Sequence, residues 1–411
     1  MALRVAASAA ILGLVLGDDQ AKYDEWKTAY GSNGGEEEFQ VFSSNLRVIE
    51  AMQANDPSAT YSHMTPFANI SPESFKTRNG YRATTGATPA PLLDVSNVAS
   101  SYDWRDHGAV NAIKDQGQCG SCWAFSTVAN VEGVGSVETG KLLNLSEQQL
   151  MDCDSADGSC NGGLPSNAFQ FMIDHGMGLE SESAYPYKAK DATCSKVASQ
   201  EKAFITAWHQ INTDETQIAA AVQQYGPLSI GINANTFQFY TGGVSDPLFC
   251  NPAALDHGVA IVGFGTDNGK DYWTIRNSWG TSWGEAGYIR MVRGKGACGL
   301  NTDATTATGV STMRNTLPES NVTLKSSCVQ PGSIPGGSCQ NCKESAQCSS
   351  GFCCPYMKKC VSSSSQGCYL PIAKCQPTCF TASCTSCSPT DGSDYNSHWG
   401  SPTCSSEDVV V

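Results

Sequence analysis

Two cysteines lie close together in a glycine-rich stretch, and they are suited to different tasks. The stretch reads Gln-Gly-Gln-Cys-Gly-Ser-Cys-Trp-Ala-Phe from Gln116 to Phe125. Glycines precede Cys122 and apolar residues at helical spacing follow it, so we expect Cys122 in the first turn of a helix. A thiol there faces the positive end of the helix dipole, which favours the nucleophilic thiolate. The stretch therefore predicts a nucleophile at Cys122 and a structural role for Cys119.

A thiolate nucleophile needs a partner that handles protons, and the chain supplies candidates further on. His257 lies in Leu-Asp-His-Gly-Val-Ala, and Asn277 begins Asn-Ser-Trp-Gly. An imidazole can take the thiol proton and return it to a leaving group. Taken singly, a glycine-flanked cysteine is more often half of a disulfide, a lone histidine is usually structural, and an asparagine can shape a turn. Their joint presence in the order Cys, His, Asn favours covalent catalysis.

The sequence around these residues resembles the papain family of cysteine proteases between Tyr102 and Asp303. The motifs that carry the resemblance are Tyr-Asp-Trp-Arg, the stretch around Cys122, Leu-Ser-Glu-Gln-Gln-Leu, Cys-Asn-Gly-Gly and Asn-Ser-Trp-Gly. The family implies an α+β, papain-like two-lobe fold with a helical left lobe and a β-barrel-like right lobe. It also implies that Cys122 attacks the scissile carbonyl to form an acyl-enzyme thioester. His257 would form the thiolate–imidazolium pair and protonate the leaving amine.

The resemblance gives roles to the neighbours of this pair as well. Asn277 would hold the imidazole by a hydrogen bond, shielded by Trp279. Gln116 would donate a side-chain N–H to the oxyanion, and the Cys122 backbone N–H would be the second donor. Neither a metal nor a cofactor is implied, and Cys122 is left as the free thiol of the unit. The implied disulfides are Cys119–Cys160, Cys153–Cys194 and Cys250–Cys298.

The same resemblance outlines the pocket for the substrate residue before the scissile one. Its apolar walls, Leu164, Pro165, Gly231 and Leu255, suit Leu, Phe or Val. Asp303 would lie at the floor, where a carboxylate can pair with an arginine guanidinium. We expect bulky apolar residues to be preferred first and Arg second, with the Arg component weakening toward acidic pH; the alternative is that Asp303 is a solvent-facing loop residue. The full set of expected substrate contacts is Gly162, Gly163, Leu164, Pro165, Gly231, Leu255, Asp256, Trp279 and Asp303.

Charge and the first residues indicate a protein of the secretory pathway that binds no nucleic acid. The net charge is −14 and the sequence pI is about 4.8, whereas nucleic-acid binders need clustered Lys and Arg. An apolar run that ends at Leu16 follows Arg4, which is typical of a signal peptide over residues 1–17. The run is too short to span a bilayer, so no membrane association is expected after signal removal. The 20 cysteines favour the same oxidising route, to the extracellular space or a lysosome or vacuole.

Residues 18–98 resemble the inhibitory propeptide of the cathepsin L branch, which runs backwards through the active-site cleft. Apolar residues at three- and four-residue steps predict an amphipathic helix over Glu36 to Gln53. The alternative is a helical extension without inhibitory function. A connector rich in Thr, Ala and Pro follows, and we expect processing between Thr84 and Ser100.

The match to this propeptide is partial, and its departures bear on activation. They remove ion-pairing groups that could make propeptide release dependent on acid, which weakens the case for a pH trigger. Family positions are kept at Val41, Phe42, Asn45, Ile49, Phe67 and Ala68. They are changed at Gly34, Glu38, Gln53, His63, Thr65 and Asn69.

The rest of the chain divides by composition into an enzyme-sized unit and a tail. The unit spans residues 99–310, and a polar linker over residues 311–327 leads to the tail, residues 328–411. The tail holds thirteen of the 20 cysteines and is typical of a disulfide scaffold, with zinc binding by its Cys-x-x-Cys motifs as the alternative. Its partner is not predicted. The β-type runs of the unit are Leu228 to Ile232, Val259 to Phe264 and Tyr272 to Arg276.

Two other functions fit parts of this pattern. A catalytically silent relative would keep the fold and use the tail as its working part, but the intact Cys122, His257, Asn277 and Gln116 favour an enzyme. A peptide ligase would resolve the thioester with an amine, and no residue selects that outcome. Hydrolysis of proteins and peptides is therefore the expected reaction, with the propeptide as an intramolecular inhibitor.

Overall fold

The computed structural model covers the enzyme-sized unit and most of the segment before it. The predicted signal peptide and most of the cysteine-rich tail lie outside the described residues. Within those residues, no helix is long and apolar enough to cross a membrane. The described residues are 17–81, 89–313, 352–354 and 359–361.

The chain divides into two compact units, residues 1–314 and residues 315–411. In the second unit, the described residues form an antiparallel pair of strands, Phe352–Cys354 with Lys359–Val361. The other described helices and strands and the candidate site all belong to the first unit.

The segment before the enzyme-sized unit contains two long helices that pack through aromatic rings. Helix α1 covers residues 17–30, and helix α2 covers Glu36–Asn55. The residues at the predicted three- and four-residue steps of α2 are buried, which confirms the amphipathic helix. The ring of Phe42 lies 5.2 Å from that of Tyr23 and 5.8 Å from that of Trp26. The segment also contains strand β1 (Ala59–Tyr61) and helix α3 (Pro72–Lys76).

Three helices enclose the first of two hydrophobic cores in the enzyme-sized unit. They are α4 (Cys122–Thr139), α5 (Glu147–Cys153) and α6 (Pro165–Asp174). Helix α5 begins after Ser146, whose hydroxyl accepts the Gln149 N–H at 3.0 Å. Helix α6 begins with a proline, whose missing N–H has no helical partner at that position in any case. The buried core includes Trp123, Val128, Leu150, Phe169 and Met172.

A nine-stranded sheet carries the second core, together with helix α7 (Glu215–Tyr225). Beside β1, its strands are β2 (Tyr102–Asp103), β5 (Ala207–Gln210), β6 (Leu228–Ile232), β7 (Tyr240–Ser245), β8 (His257–Asp267), β9 (Lys270–Arg276), β10 (Tyr288–Val292) and β11 (Ala304–Thr308). Two short strands pair separately, β3 (Leu179–Glu180) and β4 (Glu201–Ala203). The three predicted β-type runs fall within β6, β8 and β9, so these predictions are confirmed.

The order of the strands is β1, β7, β10, β9, β8, β6, β11, β5, with β2 paired to β8. Neighbouring strands are antiparallel except β7 and β10. The α+β class is confirmed. The expected barrel is not: β1 from the N-terminal segment lies at one end of the order and β5 at the other, so the described strands form an open sheet.

Helix α4 lies between the two cores and is bonded to the sheet by buried polar side chains. The Ser126 hydroxyl donates to the Val259 carbonyl at 2.6 Å. The Asn130 amide donates to the Pro227 carbonyl at 2.7 Å and accepts the Ala307 N–H at 2.8 Å. Because these groups are buried, breaking one bond would leave its partner unsatisfied. The contacts therefore fix the helix that carries Cys122 against β8.

Glu38, one of the departures from the propeptide pattern, is the centre of a hydrogen-bond cluster. Its carboxylate accepts from the Tyr23 hydroxyl at 2.7 Å, the Ser32 hydroxyl at 2.7 Å and the Asn69 amide at 2.9 Å. Burial alone would raise the pKa of Glu38, but these hydrogen bonds outweigh it and lower the pKa. Glu38 and Asn69 therefore connect helix α2 to the stretch around Phe67 by a hydrogen bond.

Candidate active site

Cys122 is the first residue of α4 and is fully buried. Its sulfur accepts the backbone N–H of Gly80 at 3.4 Å. Burial raises the pKa of the Cys122 thiol to about 11, although hydrogen bonds from the backbone of Gly258 and Gly80 act to lower it. In this state the sulfur is therefore held as the neutral thiol. Among the seven cysteines of residues 89–313, Cys122 alone is free, and the other six form Cys119–Cys160, Cys153–Cys194 and Cys250–Cys298.

His257 is the first residue of β8. Its imidazole ring is held by a hydrogen bond at one edge and by ring stacking on one face. Its Nε2 lies 2.8 Å from Asn277 Oδ1, which also accepts the Ser278 N–H, so the oxygen is the acceptor and Nε2 carries the proton. The Trp279 ring stacks on the imidazole with centroids 4.6 Å apart. The opposite nitrogen, Nδ1, is buried without a hydrogen-bond partner among the described residues. Burial lowers the pKa of His257 to about 4, so the imidazole is neutral here.

Gln116 is buried, and its amide is oriented from both ends. Its oxygen accepts the Ser278 hydroxyl at 2.6 Å, so its nitrogen must point the other way. That nitrogen donates to the carbonyl of Arg78 at 3.0 Å and to the carbonyl of Cys119 at 2.9 Å. The Gln116 amide, which the sequence predicted as a donor to the oxyanion, is thus already bonded to the Arg78 carbonyl of the N-terminal segment. Ser278 was missed as an orienting residue, although the Asn-Ser-Trp-Gly motif contains it.

The N-terminal segment crosses the cleft through backbone hydrogen bonds. The Gly163 N–H donates to the Gly80 carbonyl at 2.8 Å, and the Tyr81 N–H donates to the Asp256 carbonyl at 3.0 Å. Tyr81 pairs with Gly163 in parallel. A Cβ added to Gly80 would lie 2.1 Å from the carbonyl oxygen of Gly120, so no larger residue fits without a shift of the backbone.

The side chain of Tyr81 lies against two of the expected pocket residues, Gly231 and Asp303. Its hydroxyl donates to Asp303 Oδ2 at 2.9 Å, and Asp303 is 3 % exposed. A Cβ added to Gly231 would lie 2.4 Å from the ring, and one added to Gly258 would lie 3.1 Å from it. Asp303 therefore faces the buried pocket in this structure and not the solvent. No sequence signal singled out Gly80 or Tyr81, because their importance depends on what they touch across the cleft.

The other expected contact residues lie beside this segment. A Cβ on Gly162 would lie 2.5 Å from the Gly80 carbonyl oxygen. Leu164 and Pro165 follow Gly163 at the start of α6, and Leu255 precedes Asp256. Leu164, Pro165 and Leu255 are thus chain neighbours of Gly163 and Asp256, the residues that bond the segment.

Two aromatic residues of the N-terminal segment cover Trp279. The rings of Phe67 and Phe75 lie 5.4 and 5.1 Å from it, each nearly at right angles. Edge-to-face contacts of this kind add to the free energy gained by burying the rings. Along the segment, Phe75 therefore contacts Trp279, Gly80 contacts Cys122, and Tyr81 contacts Asp303.

Asp157, which the sequence did not single out, lies behind the cleft wall. Its carboxylate accepts the Leu164 N–H at 3.0 Å and the Asn167 amide at 3.1 Å. A Cβ on Gly163 would lie 2.7 Å from its carboxyl carbon. Burial, and next the charge of Asp154, raise the pKa of Asp157 to about 7. This carboxyl group positions the loop at Gly163 and Leu164, which bonds Gly80.

Comparison with known proteins agrees with this geometry. A probable cysteine protease of Arabidopsis thaliana is 40% identical over 69% of this chain and 84% of its own length. Cysteine proteinase 15A of Pisum sativum is 41% identical over 65% of this chain and 79% of its own length.

Solved structures of precursors match as well. The digestive procathepsin L 3 of the Tenebrio molitor larval midgut matches with a TM-score of 0.64 and 36% identity, over 70% of this chain and 98% of that one. A recombinant stem bromelain precursor matches with a TM-score of 0.63 and 35% identity, over 71% and 98%. Residues 98–308 match the family described as papain family cysteine protease, and the chain belongs to that family.

Proposed function

We propose that the chain is a latent cysteine endopeptidase in which Cys122 and His257 form a thiolate–imidazolium pair once the N-terminal segment leaves the cleft. One observation carries this proposal. Residues 78–81 contact the candidate nucleophile, the candidate oxyanion donor and the candidate pocket together. A segment without a role in latency would have no reason to meet all three.

The reaction follows from the groups beneath that segment. Water admitted to the cleft removes the burial that keeps Cys122 and His257 neutral, and the helix dipole of α4 favours the thiolate. Cys122 attacks the substrate carbonyl, while the Gln116 amide and the Cys122 N–H stabilise the oxyanion. The imidazolium, held by Asn277 and Trp279, gives its proton to the leaving amine. The imidazole then takes a proton from water, whose oxygen attacks the thioester carbon. The carbon–sulfur bond breaks, the carboxylic acid product leaves, and the thiolate–imidazolium pair is restored.

Latency is explained by the same contacts. The Arg78 carbonyl occupies the Gln116 amide, and the Gly80 N–H occupies the sulfur of Cys122. The segment runs in parallel with Gly163, the register expected for a chain laid backwards through the cleft. The segment inhibits because it occupies the cleft, and this inhibition does not require an acid-sensitive ion pair.

The remaining expectations complete the proposal. Substrates are proteins and peptides, held by the cleft walls at Gly162 to Pro165 and by the pocket at Gly231, Leu255 and Asp303. The apolar run at the start of the chain and the 20 cysteines support passage through the secretory pathway to the extracellular space or a lysosome or vacuole. The structure describes only six residues of the cysteine-rich tail, and its partner is left open.

The test is active-site labelling of the full chain with an epoxysuccinyl inhibitor before and after processing. We expect strong labelling at Cys122 after processing, little before it, and none in a Cys122→Ser variant. Product analysis on a mixed peptide substrate should show cleavage; mainly joined peptides would indicate a ligase. Processed chain that neither labels nor cleaves would refute the enzyme and favour a silent relative.

A further inference from the structure

Three asparagines of the chain lie in the sequence pattern that N-linked glycosylation requires. The pattern is Asn-x-Ser or Asn-x-Thr, where x is not proline. It occurs at Asn69, Asn144 and Asn321. Asn321 lies outside the described residues, so the structure bears on the other two. Their surroundings differ, and a bulky, hydrophilic glycan must remain in solvent after folding.

Asn144 lies on the surface of the enzyme-sized unit, between helices α4 and α5, and is exposed. Its backbone is held in place on both sides. The Asn144 carbonyl accepts the Glu182 N–H at 2.9 Å, and the next N–H, of Leu145, donates to the Glu132 carboxylate at 2.9 Å. These bonds use the backbone alone, so a glycan on the Asn144 side chain would extend into solvent without breaking either of them.

Asn69 is half-buried in the N-terminal segment, and its amide is already used. Its Nδ2 donates to Glu38 at 2.9 Å, and its Oδ1 is buried. The same Glu38 carboxylate accepts from the hydroxyls of Tyr23 and Ser32. A glycan would be attached to the nitrogen that meets this cluster, so the latent fold has no room for one at Asn69.

The hydroxyl of Ser146, the third residue of the pattern at Asn144, is occupied in the folded chain. Ser146 is fully buried, and its hydroxyl accepts the Gln149 N–H at 3.0 Å and donates to the Tyr185 carbonyl at 2.6 Å. A glycosyltransferase that reads this hydroxyl must therefore act before α5 forms. The burial of Ser146 thus sets the time of the modification and does not oppose it.

We propose that Asn144 carries an N-linked glycan and that Asn69 carries none. The inference rests on the passage through the secretory pathway in the proposed function. The donor is an oligosaccharide linked to a polyprenyl diphosphate. A bond forms between the Asn144 amide nitrogen and the anomeric carbon of the first sugar, the bond from that carbon to the diphosphate oxygen breaks, and the amide loses one proton. Because Asn144 follows the predicted processing region, which ends at Ser100, the glycan stays on the processed enzyme.

The experiment maps the modified asparagines of the full chain secreted by eukaryotic cells. A glycosidase that releases N-linked glycans converts each modified asparagine to aspartate, which mass spectrometry of the peptides detects. We expect aspartate at position 144 and asparagine at position 69. In Asn144→Gln the intact mass of the secreted chain should fall by the mass of one glycan.

Two variants of Ser146 provide the matched comparison. Ser146→Thr keeps both the hydroxyl and the glycosylation pattern, so the glycan should remain. Ser146→Ala leaves Asn144 in place but removes the pattern, so the glycan should be lost. A glycan that persists in Ser146→Ala would show that the modification does not follow this pattern and would overturn the inference.

The remaining outcomes separate the inference from the proposed function. Secreted chain that has lost residues 1–17 but carries an unmodified Asn144 overturns the inference, whether or not Asn321 is modified. A glycan at Asn69 in latent chain overturns its second half. Chain that keeps residues 1–17 has not passed through the pathway, which overturns that part of the proposed function and the inference with it. Epoxysuccinyl labelling of Cys122 after processing tests the enzyme independently of the glycan.

Discussion

Two of the places where the N-terminal segment meets the enzyme-sized unit use different kinds of groups. At the cleft contact, residues 78–81, backbone N–H and carbonyl groups bond the sulfur of Cys122 and the cleft wall. At the edge contact, Asp56–Tyr61 against β7, a strand extends the sheet and a buried carboxylate accepts hydrogen bonds from hydroxyls and a backbone N–H. Asp56 Oδ2 accepts from the Tyr61 hydroxyl at 2.8 Å, the Ser245 hydroxyl at 3.2 Å and the Asp246 N–H at 2.8 Å.

The difference separates two tasks that inhibition requires. The cleft contact covers the proposed reacting groups, which are neutral in this structure, and its buried side chains are Arg78 and Tyr81. The edge contact touches none of the proposed catalytic groups, yet it buries strand, ring and carboxylate together. We infer that the edge contact provides affinity between the segment and the enzyme-sized unit, whereas the cleft contact keeps Cys122 unreactive. A substitution at one contact should therefore leave the other contact intact.

The largest expected effect is on the chemistry of Cys122 itself. With a pKa of about 11, the buried thiol of the latent chain is ionised at pH 7 to about one part in ten thousand. Alkylation of the latent chain by iodoacetamide should therefore rise about tenfold for each pH unit between 7 and 10. The processed enzyme should react about three to four orders of magnitude faster at pH 7 and show little dependence on pH there. Equal rates before and after processing at pH 7 would mean that the cleft contact does not control the thiol.

Gly80→Ala should break the cleft contact while leaving the edge contact intact. The new methyl group would meet the backbone of Gly120 and Gly162, which cannot rotate away. Overpacking of about 1–3 kcal/mol corresponds to roughly a five- to 150-fold rise in the open population. Activity of the unprocessed chain on a fluorogenic peptide measures it.

A glycine elsewhere in the segment provides the matched control. Gly35→Ala adds a methyl group where nothing lies within 4 Å, so latency should hold. If both variants stay latent to the same degree, the close fit of Gly80 has no part in inhibition.

Asp56→Asn should weaken the edge contact without exposing the thiol. Hydrogen bonds to a charged group are worth about 1.5–3 kcal/mol, so the latent chain should lose a few degrees of melting temperature. Alkylation of Cys122 at pH 7 should remain slow while the chain is folded. Glu50→Gln, an exposed carboxyl on α2, is the control and should change neither. Rapid alkylation of folded Asp56→Asn would show that the two contacts act as one.

The sequence anticipated the parts of this arrangement that depend on local pattern. Helix α2 and strands β6, β8 and β9 follow from periodicity, and the motifs predicted a nucleophile that the structure places at the start of α4. The contacts that close the site could not be predicted in this way, because they join residues far apart in the sequence. Tyr81 meets Asp303, and Ser278 meets Gln116, across large sequence separations that no local period encodes. The open sheet likewise depends on where β1 from the N-terminal segment attaches.

The smallest expected effect concerns Asp157 and Asp154, the carboxyl groups behind the cleft wall at Gly163. These carboxyl groups share a hydrogen bond, and the second oxygen of each is buried with no other partner among the described residues.

Because the pKa of Asp157 is raised from 3.8 to about 7, the folded chain binds this proton more tightly than the unfolded one. The stability it contributes is full below pH 4 and is lost as pH rises toward and through 7. Asp157→Asn keeps a donor for Asp154 and an acceptor for Leu164 but cannot ionise. We therefore expect its melting temperature to fall less than that of the wild type between pH 4 and 8, by about 2–4 °C for each kcal/mol recovered. Asp174→Asn, an exposed carboxyl on α6, should follow the wild-type curve. If Asp157→Asn also follows it, the wall does not titrate between pH 4 and 8.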